Sequence, residues 1–498
     1  MELLSEEEVG ALYDQGKEPM VWAFMRLQDQ LAQSLEKVDR LEVRVNRLET
    51  QVNQNSQNSS KPPSSDGYRK PAPKSSREKT GLKPGGQVGH TGITLERIAE
   101  ADHTLEYWPE YCECCGEQLG RTHASGCEIR QVHDIPPVHI ETTDHKAMQV
   151  RCSQCGHTTQ GDFPPQVHSS VQYGSGVMAL GVYATMYQLL PFERTCEMLG
   201  DLFGCSGRVV SVGGGTLINW ISGCALRLAS TQERIKLAIH GCTVVHFDET
   251  GLRVLKKLYW LHSASTNSLT YYHVDTNRAG EAFDRVGILP GFQGTAVHDA
   301  LPSYLKRDVT HALCNAHLLR ELTALEEQTK QRKPPFEGGW PTQLKTTLIE
   351  MKDEVAQAVA RGEQRLSDDI LIRLEADYDR LVKRALQSNP PSKRQPNQKG
   401  RARASPARNL AQRLRDRKDS ILCFLRDFQV PFDNNLAERD LRMIKVKQKI
   451  SGGFRSLEGA QAFATIRGYI STVRKQGYSA FAALRAFLDG NPVDLVLG

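Results

Sequence analysis

No run of about 20 predominantly apolar residues, the length a membrane-crossing helix requires, occurs in this 498-residue chain. The best candidate, the charge-free stretch from Phe163 to Pro191, is strongly apolar only between Val177 and Leu190. It is broken there by Gly181, Thr185 and Gln188, so it reads as a buried core helix and no membrane is expected. A secretory start is missing too. The chain opens Met-Glu-Leu-Leu-Ser-Glu-Glu-Glu, acidic where a signal peptide needs positive charge, and the cytoplasm is the expected compartment. There the 12 cysteines are expected as metal ligands and buried thiols, because a disulfide framework needs an oxidising surrounding. A P-loop is absent: Gly-Gly-Gln-Val-Gly-His at 85–90 lacks the Lys-Ser/Thr that follows and is preceded by no strand. At 39% apolar and 24% charged residues, the composition excludes collagen-like, mucin-like and fully disordered chains. The length suits about three domains.

What is present is uneven along the chain. Phe24, Leu31, Val38, Val45 and Val52 fall on one seven-residue register, and Leu27, Ser34, Leu41 and Leu48 on a second, offset by three. That is an a/d seam with Val mostly at a and Leu mostly at d, the choice that favours a two-stranded parallel coiled coil over 1–52. The alternative is a helix packed on its own domain. From 53 to 100 the chain is polar, Pro-rich and basic, with seven Lys or Arg between Lys61 and Lys83 against Asp66 and Glu78, which predicts a linker. Residues 101–165 carry cysteine pairs. Residues 170–238 read as helical, and Arg194–Phe203, Gly204 and a second helix towards Trp220 have helix-turn-helix spacing. Gly213, Gly214 and Gly215 inside that second helix, each costing about 1 kcal/mol, weigh equally for plain core packing.

From Cys242 the period changes to two. Thr243–Phe247 predicts a buried strand, Leu258–Ser265 and Leu269–Val274 a hairpin, Arg278–Val286 a helix and Gly294–His298 another strand. Residues 301–430 read as almost entirely helical, interrupted by a Pro/Lys/Arg tract at 389–408. Ala437–Gln448 and Leu457–Lys475 then predict two helices, and 479–498 a tail.

Two constellations carry chemistry. Cys112-Glu-Cys-Cys115-Gly116 and Cys152-Ser-Gln-Cys155-Gly156 are paired knuckles, and four thiolates at this spacing make one closed, structural Zn²⁺ site. Cys114 and Cys127 are spare thiols, and His123 or His157 could replace a ligand. The second constellation is acidic: Asp248 and Asp299 each end an apolar strand just after a His, where carboxylates suit hard divalent cations. For the third carboxylate Glu438, at the start of a helix, competes with Asp433, Asp440 and Glu321. Asp433 has the ordinary role of a cap, Asp440 lies about 200° around the helix from Glu438, and Glu321 sits on a bracing helix. Arg442, Lys445, Lys447 and Lys449 follow Glu438, as expected of a helix beside nucleic acid.

The chain resembles the transposases of the insertion-sequence-66 family over nearly its whole length. The resemblance rests on the zipper start, Asn-Ser-Ser-Lys-Pro-Pro-Ser-Ser-Asp from Asn58, Gly-Gly-Gln-Val-Gly-His and the knuckles. It continues through His-Phe-Asp-Glu-Thr-Gly, Val-His-Asp-Ala, Cys314-Asn-Ala-His317-Leu-Leu-Arg320 and Asn-Asn-Leu-Ala-Glu-Arg. It implies an α+β multidomain chain with an RNase H-like catalytic core at 239–300 and 431–478, split by a helical insertion. It also implies an Asp-Asp-Glu triad of Asp248, Asp299 and Glu438 holding two Mg²⁺ ions for DNA strand cleavage and strand transfer. Double-stranded DNA, a second copy paired through the coiled coil and element-encoded accessory proteins are the implied partners, at the bacterial nucleoid. Cys314 and His317 offer only two ligands by spacing, which favours bracing of the second Asp over metal binding. A zinc-stapled regulator and a plain RNase H-like nuclease are the rival readings; the first requires loss of a carboxylate, the second has no use for the zipper.

Overall fold

The computed structural model describes residues 6–14, 16–53, 95–136, 138, 140–204, 211–330, 339–391 and 404–497. Most of the 53–100 linker with its Gly-Gly-Gln-Val-Gly-His run, residues 205–210 at the start of the expected second helix of the helix-turn-helix and most of the basic tract at 389–408 lie outside them. The chain divides into a larger unit, residues 1–69, 173–191 and 217–498, and a smaller one, residues 70–172 and 192–216.

A short helix α1 (Glu6–Asp14) precedes α2 (Lys17–Asn53), which carries the heptads. Pro19 lies in its first turn, where a missing N–H costs nothing. Leu27, Leu31, Val38, Leu41, Val45 and Leu48 are each 50–60% exposed, so this seam is not packed into the body of the protein. In the smaller unit β1 (Gln149–Arg151) pairs antiparallel with β2 (Thr158–Gln160) around the second knuckle.

The apolar stretch before Pro191 becomes α3 (Ser175–Val182), continued by a wider turn at Tyr183–Tyr187; Ala179, Val182, Ala184, Met186 and Leu189 are buried. Among the described residues no helix is long and apolar enough to cross a membrane. Gly181 is required here by packing: a Cβ would come within 2.8 Å of Leu217 and 3.0 Å of Trp220. Helix α4 (Phe192–Gly204) lies in the smaller unit, and α5 begins at Gly214 and runs to His240. The expectation that the glycine triplet interrupts a helix is therefore corrected. Gly213 precedes α5, and Gly214 and Gly215 open it, where the helix has few backbone bonds to weaken.

A five-stranded mixed sheet follows: β3 (Val244–Val254), β4 (Lys257–Ser265), β5 (Thr270–Asp275), β6 (Thr295–His298) and β7 (Thr310–Leu313), with α6 (Glu281–Val286) between β5 and β6. The strand order is β5-β4-β3-β6-β7; β3, β4 and β5 form an antiparallel meander, and β6 and β7 run parallel to β3. Two expectations change. Asp248 does not end its strand, because β3 continues six residues further and turns into β4 at Leu255 and Lys256, both left-handed (φ 47° and 66°). The segment 301–430 is not wholly helical, because it contributes β7 before its helices begin.

Those helices are α7 (Asn315–Lys330), α8 (Trp340–Ala360), α9 (Asp368–Ser388), α10 (Pro406–Asp416) and the single turns α11 (Lys418–Ile421) and α12 (Cys423–Arg426). They bury a core of their own, including Leu344, Met351, Tyr378 and Leu414, which is continuous with Val297, Ala312 and Leu313 of the sheet. The chain then returns through α13 (Asn435–Ser451), α14 (Leu457–Lys475) and α15 (Ala480–Leu488). Leu441, Ile444, Ile466 and Ile470 share a core with Leu252, Val254 and Tyr272, whereas Ile235 and Ile239 of α5 and Phe283 of α6 share another with Val245 and Phe247. The sheet is thus covered on both faces. The expected C-terminal tail is built into the first core, with Ala483 and Leu484 fully buried.

Candidate active site

Two carboxylates come from neighbouring parallel strands. The β3–β6 ladder pairs His246 with Val297, and two residues further along stand Asp248 and Asp299, the latter just past the end of β6. Residues two apart on a strand share a face, and adjacent strands lie about 4.8 Å apart, so the two side chains leave the sheet as neighbours. Alternation puts His246 and Asp248 on the face covered by α13 and turns Glu249 to the other. Glu438 reaches the same place from the first turn of α13. Burial, then the charges of Glu249, Asp299 and Glu438, hold the Asp248 carboxyl well above the usual carboxylate range. The three acids expected to act together are therefore within electrostatic reach of one another, although 138 residues separate Asp299 from Glu438.

Each acid is held by its surroundings. Asp299 Oδ1 accepts from the Leu301 N–H at 3.2 Å, and Ala300 between them is left-handed (φ 68°), a conformation costing about 1–2 kcal/mol in a residue with a Cβ. Ala300 N–H donates to His298 Nδ1 at 3.1 Å. That acceptor role places the His298 proton on Nε2, which donates to His311 Nδ1 at 3.0 Å, and His311 Nε2 donates to the Arg307 carbonyl at 3.1 Å. Burial pushes His298 down to about 3, so this relay is neutral. Glu438 Oε1 lies 3.6 Å from Arg320 Nη2 and 4.0 Å from His317 Nε2.

Fully enclosed Asn434 fastens the start of α13 to the sheet. Its Nδ2 donates to the Phe247 carbonyl at 2.8 Å, its Oδ1 accepts from His246 Nδ1 at 2.8 Å, and its backbone N–H donates to Cys314 Sγ at 3.2 Å. Residue pairing alone did not single it out; the Asn-Asn of the motif was the available signal. Glu249 was also missed. Its buried carboxylate takes 2.8 Å and 2.9 Å bonds from Arg278 Nε and Tyr304 Oη, yet burial and Asp299 still push it up to about 7.

The rivals of Glu438 are committed elsewhere. Asp433 Oδ1 accepts from the Asn435 N–H two residues on, forming a turn just before α13, whose N-cap is Asn434. Asp440 Oδ2 binds Ser265 Oγ and Lys475 Nζ, both at 2.7 Å. Glu321 pairs with Arg413. Of the basic residues on α13, Arg442 and Lys449 are exposed, Lys445 Nζ donates to the Gly251 carbonyl at 2.9 Å, and Lys447 Nζ lies 4.2 Å from the Phe454 ring centre.

In the smaller unit the two knuckles fold identically. Cys112 and Cys152 donate their N–H groups to the carbonyls of Glu117 and His157, Gly116 and Gly156 donate back to Cys112 and Cys152 at 2.9 Å, and both glycines are left-handed (φ 74°). Backbone N–H groups of Cys115 and Cys114 lower the Cys112 thiol, and those of Cys155 and Gln154 lower that of Cys152. Each pair is thus preformed. Among the described residues, the one set of three or more Cys, His or carboxylate donor atoms within 4.8 Å of each other is Cys314, His317 and Glu438, so neither the four knuckle sulfurs nor the oxygens of Asp248, Asp299 and Glu438 are gathered that closely.

Residues 170–462 match the family described as Transposase IS66 family. The chain belongs to that family. The IS66 match contains Asp248, Asp299, Glu438, Cys314 and His317; the knuckles lie before it. Residues 17–96, which include α2, match a Family of unknown function (DUF6444). An uncharacterized protein y4jO of Sinorhizobium fredii (strain NBRC 101917 / NGR234) is 40% identical over 86 residues, 17% of this chain and 27% of that protein. The chain therefore spans about a quarter of the length of this curated relative.

Proposed function

We propose that this chain is a DNA transposase that binds the ends of a bacterial insertion sequence and catalyses metal-dependent strand cleavage and strand transfer. The observation that carries the reading is that Asp248, inside the IS66 match, feels the charges of both Asp299 on the neighbouring strand end and Glu438 on a helix remote in the chain, although the three carboxylates do not all lie within 4.8 Å of one another. The strand order, an antiparallel three-strand meander joined to two parallel strands, supports an RNase H-like core.

The donor set fits Mg²⁺. The carboxyl oxygens are hard ligands, and burial together with the neighbouring negative charges, which raise Asp248, is what a divalent cation would offset. Asp248, Asp299 and Glu438 would hold it. Bound there, Mg²⁺ supplies activation of water or a 3′-hydroxyl and neutralises charge on the departing 3′ oxygen. The chain's own part is positioning: Ala300 and His298 aim Asp299, and Asn434 ties the α13 start, hence Glu438, to the strand carrying Asp248. Exposed Arg442 and Lys449 hold backbone phosphates, while Lys445 and Lys447 chiefly anchor α13. No nucleophilic side chain is needed.

The remaining parts follow the same reading. Cys112, Cys115, Cys152 and Cys155 are assigned to one structural Zn²⁺; the matching turns support each pair as a half-site, and one ion requires the two knuckles to close on each other. The exposed seam of α2 pairs two copies so that both element ends are handled together, with element-encoded accessory proteins assisting at the nucleoid in the cytoplasm. The test is incubation of the full chain with DNA carrying the element's terminal repeats. Mg²⁺-dependent nicks at the repeat boundaries are expected; sequence-specific binding without any cleavage, with Mg²⁺ or Mn²⁺, would turn the reading towards a regulator.

A further inference from the structure

The Cys-x-x-His pair offers two ligands by spacing, and the fold brings a third from 121 residues away. Cys314 Sγ, a His317 ring nitrogen and a Glu438 carboxylate oxygen all lie within 4.8 Å of one another. We propose that these three side chains form a site for a Zn²⁺-class transition metal, distinct in chemistry from the all-oxygen Mg²⁺ set and competing with it for Glu438.

Three observations support this. The donor set is mixed: thiolate and imidazole select Zn²⁺ or Co²⁺ over Mg²⁺, which prefers oxygen. Burial keeps the free Cys314 thiol protonated, pushing it up to about 11, and its sulfur takes a 3.2 Å bond from the Asn434 N–H, leaving other sulfur lone pairs for an ion that displaces the proton. His317 makes no side-chain hydrogen bond: its Nδ1 is buried without a partner and its Nε2 lies 4.0 Å from Glu438 Oε1, so the ring is uncommitted beside the carboxylate. On binding, the thiol proton leaves to solvent and the ion takes sulfur, nitrogen and oxygen, with a water completing four-coordination. Arg320, 3.6 Å from Glu438, is the cation that the ion would displace from that carboxylate. Because Glu438 serves both ions, occupancy by Zn²⁺ withdraws it from the Mg²⁺ set; this consequence, unlike the site itself, rests on the proposed role of Glu438.

The experiment is a Co²⁺ titration of full-length protein whose knuckles have first been filled with one equivalent of Zn²⁺. One further Co²⁺ is expected, with a thiolate-to-cobalt charge-transfer band. Cys314→Ser should abolish the band, and His317→Gln, at a partly exposed position that makes no side-chain hydrogen bond, should weaken Co²⁺ binding about tenfold or more. A Cys112→Ser, Cys155→Ser double variant, titrated with Co²⁺ and no prior Zn²⁺, should retain it. If Cys314→Ser and His317→Gln bind Co²⁺ as the parent does, or if the double knuckle variant loses all binding, the site does not exist. In the second arm, Zn²⁺ added at one equivalent over the knuckles should suppress Mg²⁺-dependent cleavage in the parent. The suppression, relative to each protein's own zinc-free rate, should shrink in His317→Gln. Cobalt binding that behaves as expected while Zn²⁺ leaves cleavage unchanged would keep the site and overturn its competition for Glu438.

Discussion

At the scale of single residues, the centre is governed by groups that never meet solvent. Asn434→Ala removes a donor to the Phe247 carbonyl and an acceptor from His246, leaving two buried polar groups unpartnered. The expected loss is about 2–5 kcal/mol in urea unfolding, and Asn434→Asp, which keeps the acceptor only, should fall between. Equal stability of all three proteins would remove Asn434 from the account. His298 makes the second prediction. Its folded-state value, pushed down to about 3 from 6.5, means the unfolded chain takes up a proton first as pH falls. The stability it contributes is complete above about pH 6.5 and is lost as pH drops from there towards 3, by about 1.4 kcal/mol per unit. Thermal unfolding between pH 7 and 5 should show this slope reduced by about one proton's worth in His298→Gln; an unchanged slope would mean that His298 is already charged in the folded protein.

Secondary-structure elements carry the next predictions and show where sequence reasoning stops. The seam on α2 is exposed, so deleting residues 1–52 should lower the number of chains per particle in light scattering without changing the unfolding midpoint of the remainder. An unchanged number of chains would assign that seam no role in pairing. The knuckles should bring about one Zn²⁺ per chain, and metal analysis of Cys112→Ser, Cys155→Ser should find that equivalent gone. Knuckles, heptads and the β4–β5 hairpin were legible because each is a local pattern. The β3–β4 turn was not, because Leu255 and Lys256 adopt left-handed conformations that normally announce themselves as Gly or Asn. Strand β7 was hidden for a different reason: four residues flanked by helix-forming sequence have no period to read, and their strand character comes from pairing with β6.

Across the whole molecule, Asp248 and Asp299 stood out by their matching apolar-run, His, Asp patterns, but Asp248 lies within β3 instead of ending it, and their adjacency depends on register between β3 and β6. That Glu438 and Asp440 face different sides of α13 was readable from helical geometry, and Asp440 is engaged by Ser265 and Lys475. The joining of Cys314 and His317 to Glu438 was beyond any local pattern. The central claim is that three carboxylates from distant parts of the chain act as one centre on DNA. Its most direct test is Mg²⁺-dependent cleavage of terminal-repeat DNA by Glu438→Gln, with Asp440→Asn as the comparison and binding to the same DNA measured alongside. The account predicts cleavage reduced at least about a thousandfold, some 4 kcal/mol of transition-state stabilisation, in Glu438→Gln with binding intact, and cleavage retained by whatever folded Asp440→Asn is present. An active Glu438→Gln beside a folded but inactive Asp440→Asn would contradict it.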